Sequence, residues 1–155
     1  MSQHVQEISE EPVVAEVIGH FNFLVSTGAT GTKFLTEIRD NKKILGIKCP
    51  SCGKVYVPPR LHCPTCFVRM SEWVELSGKG TLSSYTIVRY QEPYMPKEPP
   101  FAYGVIQMDG ADTGMAHFLG GVDLDKIKIG IRLEPVFKEE REGSILDIDY
   151  FKPSS

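Results

Sequence analysis

The sequence lacks the features that mark membrane-spanning and secreted proteins. No apolar run approaches the ~18 residues that a membrane-spanning helix needs. The first 32 residues contain no lysine or arginine, so the basic start of a signal peptide is missing. The composition, with 41% hydrophobic and 24% charged residues, excludes extensive disorder. We therefore expect a globular, cytoplasmic protein.

Catalytic motifs are also missing. The sequence contains no G-x-S-x-G, no P-loop and no G-x-G-x-x-G after a strand. Residues 27–31 are glycine-rich and favour a flexible turn over a phosphate contact. His62 beside Cys63 is a weak candidate for a Cys–His dyad, and Asp147 with Asp149 more often marks a solvated strand face than a catalytic pair. The chain alone is therefore predicted to be non-catalytic.

Positive charge is confined to the middle of the chain. The net charge of −3 divides into −4 for residues 1–32, +6 for residues 33–70 and −5 for residues 71–155. A basic segment of this kind can receive phosphate groups. The acidic remainder, in which aromatic residues are scattered along the sequence, disfavours general binding of nucleic acid.

The four cysteines form the strongest motif. Cys49, Cys52, Cys63 and Cys66 make two C-x-x-C pairs separated by ten residues, and no cysteine lies elsewhere. Four thiolates suit a tetrahedral, structural zinc ion, which leaves no position for an activated water. The alternatives are an iron site of rubredoxin type and a redox dithiol, although a redox motif does not need a second copy. The spacing thus predicts a rubredoxin-like zinc ribbon.

The rest of the chain after the cysteines is strand-like. Runs rich in β-branched and aromatic residues are separated by turn sequences, with no long helix between them. About five strands of this kind predict a closed antiparallel barrel of OB type. The predicted strands are residues 73–77, 80–90, 101–108, 129–134 and 145–150.

We therefore predict a mainly β protein with four segments. A short helix is expected around Phe34, Leu35 and Ile38, because these apolar residues share one helical face, and it should end at Asp40–Asn41. The segments are a flexible tail (1–12), an N-terminal strand and helix (13–42), a zinc ribbon (43–72) and an OB-fold barrel (73–155).

Several stretches together resemble the acyl-CoA-associated zinc-ribbon/OB-fold proteins. The matching stretches are residues 34–49, 55–60, 73–76, 108–113, 128–130 and 136–153, with His117 between them. The resemblance implies a helical piece, a ribbon with Cys49, Cys52, Cys63 and Cys66 as metal ligands, and an OB barrel. It also implies an accessory subunit of a thiolase-type enzyme, as in archaeal acetoacetyl-CoA thiolase complexes and benzoylsuccinyl-CoA thiolase, where the partner supplies the cysteine and histidine chemistry.

The function predicted on this basis is a non-catalytic, zinc-bearing subunit of a hetero-oligomer. It would bind a thiolase-fold enzyme, help to form its acyl-CoA site and support cleavage or formation of a 3-oxoacyl-CoA. Basic residues would meet CoA phosphates, while the proline-rich connector (92–100) would contact pantetheine or the partner, or fold onto its own barrel. The candidate contacts are Lys48, Arg60, Arg89, Tyr90, Tyr94, Phe101 and His117.

Three other functions stay open at this point. Zinc ribbons and OB barrels also serve in binding single-stranded nucleic acid. The chain is also compatible with an accessory subunit of an acyl-CoA hydratase, or with a free CoA-binding carrier that has no obligate partner. For His117, a buried barrel histidine is the alternative to a ligand contact.

Overall fold

A computed structural model describes residues 24–154 of the chain. The predicted tail and residues 13–23 lie outside this part. No helix in the described part is long and apolar enough to cross a membrane. The elements are α1 (Gly28–Asn41), β1 (Ile44–Lys48), β2 (Val55–Tyr56), β3 (Glu72–Leu76), β4 (Gly80–Val88), β5 (Phe101–Met108), β6 (Gly114–Leu119), β7 (Arg132–Phe137) and β8 (Ile148–Pro153), with 3-10 turns at Leu124–Lys126 and Ile145–Asp147.

Helix α1 is longer than its apolar pattern predicted. Residues 27–31, which the sequence indicated as a flexible turn, contain the start of the helix at Gly28. Phe34 and Ile38, four residues apart on one face, are buried as expected. The helix stops after Asn41, because Lys42 turns into the left-handed region at φ 55° and its N–H bonds the Ile38 carbonyl at 3.2 Å.

A three-stranded antiparallel sheet in the order β2-β1-β3 forms the frame of the ribbon. Strand β3 aligns with β1 from Lys48 opposite Glu72 to Ile44 opposite Leu76. Residues 73–76 were expected in the barrel, but their ladder hydrogen bonds lie in this sheet. Alternating apolar residues show which face of a strand is buried, but they do not show which other strand it pairs with. The sequence therefore did not assign residues 73–76 to the correct sheet.

The five-stranded OB-type barrel predicted from the sequence is confirmed. Its strand order is β4-β5-β6-β8-β7, and pairing of β7 with β4 closes it. All neighbours are antiparallel except β6 and β8, which run parallel. The barrel excludes β3, which was predicted to belong to it, and includes β6, whose stretch around His117 is strand-like in sequence but was not counted among the five strands. Mainly β architecture with a single helix follows in the described residues.

Two of the predicted strands begin and end three residues later than their alternation indicated. Residues 145–147 form a 3-10 turn, so β8 begins at Ile148. Ile129 is 65% exposed, since Gly130 at φ 92° makes a turn before β7 starts at Arg132. In both places a turn interrupts an apolar pattern of period two, and the pattern alone did not reveal it.

One hydrophobic core joins the helix, the ribbon sheet and the barrel. Phe34 and Ile38 of α1 and Ile44 of β1 pack in the same buried cluster as Ile106 and Leu133 of the barrel. An isolated helix of this length is marginal in water, so burial against the sheet stabilises it. The ribbon and the barrel are therefore packed together through shared side chains.

Hydrogen bonds fix the second strand of the ribbon to the β5–β6 turn of the barrel. The Val55 N–H donates to the Asp112 carboxylate at 2.8 Å, and the Asp112 N–H donates to the Val55 carbonyl at 2.8 Å. The Thr113 hydroxyl accepts from the Val57 N–H at 2.8 Å and lies 2.9 Å from the Val57 carbonyl. Residues 108–113 are one of the stretches that carry the family resemblance, and these contacts show that they hold the ribbon against the barrel.

Truncating Ile38 should test the shared core. The side chain is fully buried, so Ile38→Ala is expected to lower the free energy of unfolding by about 2–5 kcal/mol. The matched variant Ile38→Val removes one methyl group and should cost only about 0.5–1.5 kcal/mol. Urea denaturation followed by circular dichroism measures both. Equal stability of the Ala and Val variants would contradict the packing described here.

Candidate metal centre and the aromatic face of the barrel

The structure brings the four cysteines together. Their Sγ atoms all lie within 4.8 Å of one another, and the Sγ atoms of Cys52 and Cys63 are 3.8 Å apart. Zn–S bonds of about 2.3 Å in a tetrahedron place sulfurs roughly 3.8 Å apart, so the group fits a single zinc ion.

Tight turns of the backbone orient the thiols. In the first knuckle the Cys52 N–H points at Cys49 Sγ, and in the second the Cys66 N–H points at Cys63 Sγ, each at 3.4 Å. Gly53 completes the first turn at φ 74°, a conformation that glycine adopts without steric cost. Backbone N–H groups directed at sulfur are the outer contacts that stabilise a metal-bound thiolate.

A buried tyrosine supports the deeper side of the centre. Tyr56 is buried, and its hydroxyl lies 3.3 Å from the Sγ atom of buried Cys63. This hydrogen bond, donated by Tyr56, together with weaker ones from the backbone N–H groups of Cys66 and Thr65, lowers the pKa of the Cys63 thiol to about 6. Because the thiolate is the form that binds metal, this hydrogen bond favours Cys63 as a ligand. Zinc held here would crosslink the two knuckles, and its four sulfur ligands would leave no open position for water.

The seven candidate contact residues lie on separate parts of the ribbon and the barrel. Lys48 pairs with Glu72 at 3.3 Å, which offsets part of its charge. The Arg60 side chain is exposed and forms no ion pair within residues 24–154. Arg89 is also exposed, as are Tyr90 (63%) just before the connector and Tyr94 (80%) within it.

Phe101 belongs to an aromatic cluster that the sequence did not reveal. Phe101 and Tyr103 on β5 contact Phe118 on β6 edge to face, with ring centroids 5.4 and 5.2 Å apart. The aromatic residues, scattered in sequence, are thus partly gathered by the β5–β6 register. They border an open apolar cavity of about 370 Å³, termed the barrel hollow, which is lined by Thr86, Val88, Pro96, Phe101, Tyr103, Phe118 and Leu146.

The connector folds onto the barrel at one point. Lys97 Nζ lies 4.9 Å from the Phe118 ring centroid and 3.5 Å from the Asp149 carboxylate. This anchoring agrees with the interpretation of the connector as a lid on its own barrel. Tyr90 and Tyr94 nevertheless remain exposed, so part of the connector still faces solvent.

The two carboxylates considered as a pair have separate partners. Asp147 is buried in the turn before β8 and accepts hydrogen bonds from the backbone N–H groups of Glu142, Gly143 and Ser144 at 2.7–3.1 Å. Asp149 lies on β8 and contacts Lys97. Asp147 therefore holds a loop in place, and Asp149 holds the connector.

His117 lies inside the barrel, only 2% exposed, next to Phe118 and Phe151. Its Nε2 is 3.1 Å from the Ile145 carbonyl, which can only accept, so Nε2 carries the proton. Nδ1 has no hydrogen-bond partner in the described residues. Burial, aided by the charge of Lys97, lowers the pKa of His117 and keeps it neutral. This position corresponds to the buried barrel histidine that the sequence offered as an alternative to a ligand contact.

The burial of His117 predicts a dependence of stability on pH. Below about pH 6.5 the unfolded chain binds a proton at this residue that the folded chain resists, so the free energy of unfolding should fall as the pH drops. His117→Gln should reduce this slope between pH 8 and 5, because the group that resists protonation in the folded chain is removed. Chemical denaturation across the pH range measures it, and an identical slope in His117→Gln would refute the prediction.

The metal centre gives a second prediction. The purified chain should hold about one zinc ion, and Tyr56→Phe should weaken zinc binding about 10–100-fold by removing the hydrogen bond to Cys63. Tyr85→Phe is the matched control, because that hydroxyl donates to the Ile127 carbonyl in the barrel. Competition with a chromogenic chelator measures affinity, and elemental analysis measures content. Equal affinities in the two variants would exclude the role given to Tyr56.

Proteins of known sequence support this description. The chain is 29% identical over 122 residues to a DUF35 domain-containing scaffold protein of Methanocaldococcus jannaschii, covering 76% of this chain and 86% of that protein. A protein of the same description from Pyrococcus furiosus is 29% identical over 126 residues, covering 79% and 91%. Both alignments include most of the relative's own length.

Solved structures share the fold. A DUF35-family protein of unknown function from Sulfolobus solfataricus superposes with a TM-score of 0.63 at 24% identity, covering 83% of this chain and 87% of that one. An Ltp2-ChsH2(DUF35) aldolase gives a TM-score of 0.61 at 23% identity, covering 80% and 94%.

Family models match both halves of the described structure. Residues 36–71 match the rubredoxin-like zinc ribbon domain of ChsH2, and residues 73–138 match its C-terminal OB-fold domain. The zinc-ribbon match includes all four cysteines, in agreement with a structural zinc. The chain therefore belongs to the ChsH2-type DUF35 family, whose members join a rubredoxin-like zinc ribbon to an OB-fold barrel.

Proposed function

We propose that the chain is a non-catalytic scaffold subunit that binds a thiolase-fold enzyme and helps to form its acyl-CoA site. Relatives are described as scaffold proteins, and a ChsH2 chain of the same fold is part of an aldolase with Ltp2. Those descriptions favour a partner enzyme. The thiolase fold of that partner and the acyl-CoA ligand follow from the resemblance of the sequence to accessory subunits of thiolase complexes.

The barrel hollow is the observation that carries this proposal. Its volume of about 370 Å³ lies in the range of small-molecule sites, and its lining is almost entirely apolar. An open apolar surface of this kind marks a ligand or partner contact. The thin pantetheine arm of CoA, or an apolar loop of the enzyme, would remove the hollow from water. The exposed Tyr94 of the connector and Tyr90 just before it would extend the same contact.

Charges on the ribbon suit the phosphate end of CoA. Arg60 and Lys54 are exposed, and their side chains form no ion pair within residues 24–154. Lys48 is a weaker candidate because Glu72 already neutralises part of its charge. Hydrogen bonds to charged groups contribute about 1.5–3 kcal/mol when shielded and much less when exposed, so these contacts would strengthen in the complex.

Catalysis belongs to the partner in this proposal. All four cysteines of the chain lie in the metal cluster, so none is left to act as the nucleophile of thiolysis. His117 is buried and held neutral, and its Nε2 contacts the Ile145 carbonyl. The chain would therefore contribute shape and charge to the site, and the enzyme would contribute the reacting groups.

Reconstitution tests the proposed function. The chain should co-purify with the thiolase-fold enzyme encoded beside its gene, and thiolysis of a 3-oxoacyl-CoA should require both proteins. Val88→Arg, which fills the hollow, should lower kcat/KM at least about tenfold, in line with loss of a buried contact. Ile129→Arg, at an exposed apolar position outside the hollow lining, is the control. Equal thiolase activity without the chain would overturn the proposal.

A further inference from the structure

The two zinc knuckles end in the same backbone conformation with different residues. The residue after the second cysteine has a positive φ in both, at 74° for Gly53 and 58° for Phe67. Glycine adopts this left-handed conformation readily, whereas a bulky side chain is a genuine outlier there. The second knuckle thus places a phenylalanine where its own geometry favours glycine.

Packing within the chain does not account for this choice. The Phe67 side chain is 81% exposed, and its ring contacts no other aromatic ring in residues 24–154. Its N–H bonds the Cys63 carbonyl at 2.9 Å, an interaction that glycine would make equally well. An exposed aromatic in an unfavourable backbone conformation indicates a role outside the isolated fold.

The hairpin that carries Phe67 also carries an exposed leucine and an exposed arginine. Leu61, on the opposite arm of the second knuckle, is 43% exposed, and its carbonyl accepts from the Met70 N–H at 2.9 Å. Arg69 lies opposite His62 in a backbone β-bridge of the same hairpin. The Arg69 side chain is exposed and forms no ion pair within residues 24–154. Aromatic and arginine side chains are the residues most enriched among anchors of protein interfaces.

We propose that Phe67 is an anchor by which the zinc ribbon docks on the partner enzyme. Its ring would enter an apolar pocket of the thiolase-fold subunit, with Leu61 covering the pocket edge. Arg69 would meet carboxylates at the rim, because an exposed, unpaired cation favours an acidic counterpart. The identity of the partner rests on the proposed function. The point of attachment is the second zinc knuckle, which carries Phe67, rather than the barrel hollow.

Substitution by glycine separates binding from folding. Glycine relieves the backbone conformation, so zinc-loaded Phe67→Gly should keep its zinc content and melt at the same or a higher temperature. Its Kd for the purified thiolase-fold enzyme, measured by calorimetry, should nevertheless rise about 30-fold or more, as for an interface anchor. Phe67→Tyr should bind within a few-fold of wild type. Ile129→Ala, which removes a comparably exposed apolar side chain, is the matched control.

The charge is tested separately. Arg69→Glu should weaken binding. Added salt should raise the Kd of the wild-type chain, by screening an attraction, and lower the Kd of the variant, by screening a repulsion. Wild-type affinity in Phe67→Gly would overturn the anchor while leaving the proposed function intact. Loss of zinc or a lower melting temperature in Phe67→Gly would also overturn it, because Phe67 would then act in the fold. Failure of the wild-type chain to bind the enzyme would overturn both proposals.

Discussion

Closure of four thiols around one metal ion is the constraint on which the ribbon depends. Its own buried cluster comprises only Ile47, Cys49, Tyr56, Cys63 and Met70, and two of these are metal ligands. So small a core cannot order a loop-rich segment, whereas structural zinc supplies an apparent binding free energy of about 10–16 kcal/mol. The hydrogen bond of Tyr56 and the two knuckle turns prepare the sulfurs for that ion.

The metal-ordered ribbon is then held against the barrel by two different kinds of contact. Apolar side chains of α1 and the ribbon sheet share a core with the barrel strands. Directional hydrogen bonds also join Val55 and Val57 to Asp112 and Thr113. Such packing keeps the ribbon sheet in a fixed position against the barrel. A fixed relation between two surfaces is what the proposed scaffold role requires, since one attaches and the other shapes the ligand site.

Much of the fold could be predicted because its signals are local. The C-x-x-C spacing indicated the ribbon, and period-two alternation indicated a barrel of about five strands. The sequence did not predict correctly which strands form the barrel, since β3 lies in the ribbon sheet and β6 lies in the barrel. Pairing depends on which distant strand offers a free edge, and alternation carries no information about that partner. The start of α1 was missed because its glycine and threonine residues have low helix propensity.

The sequence by itself determined the spacing of the metal ligands, the architecture and the family, because each depends on residue types that lie close together along the chain. Tertiary structure alone decided that Phe101, Tyr103 and Phe118 meet, that His117 is buried and that Phe67 is exposed in a left-handed conformation. The first depends on the register between strands, and the second on barrel closure. The third depends on the backbone conformation of the second knuckle around its two sulfurs. None of the three can be predicted from residues that are adjacent in the sequence.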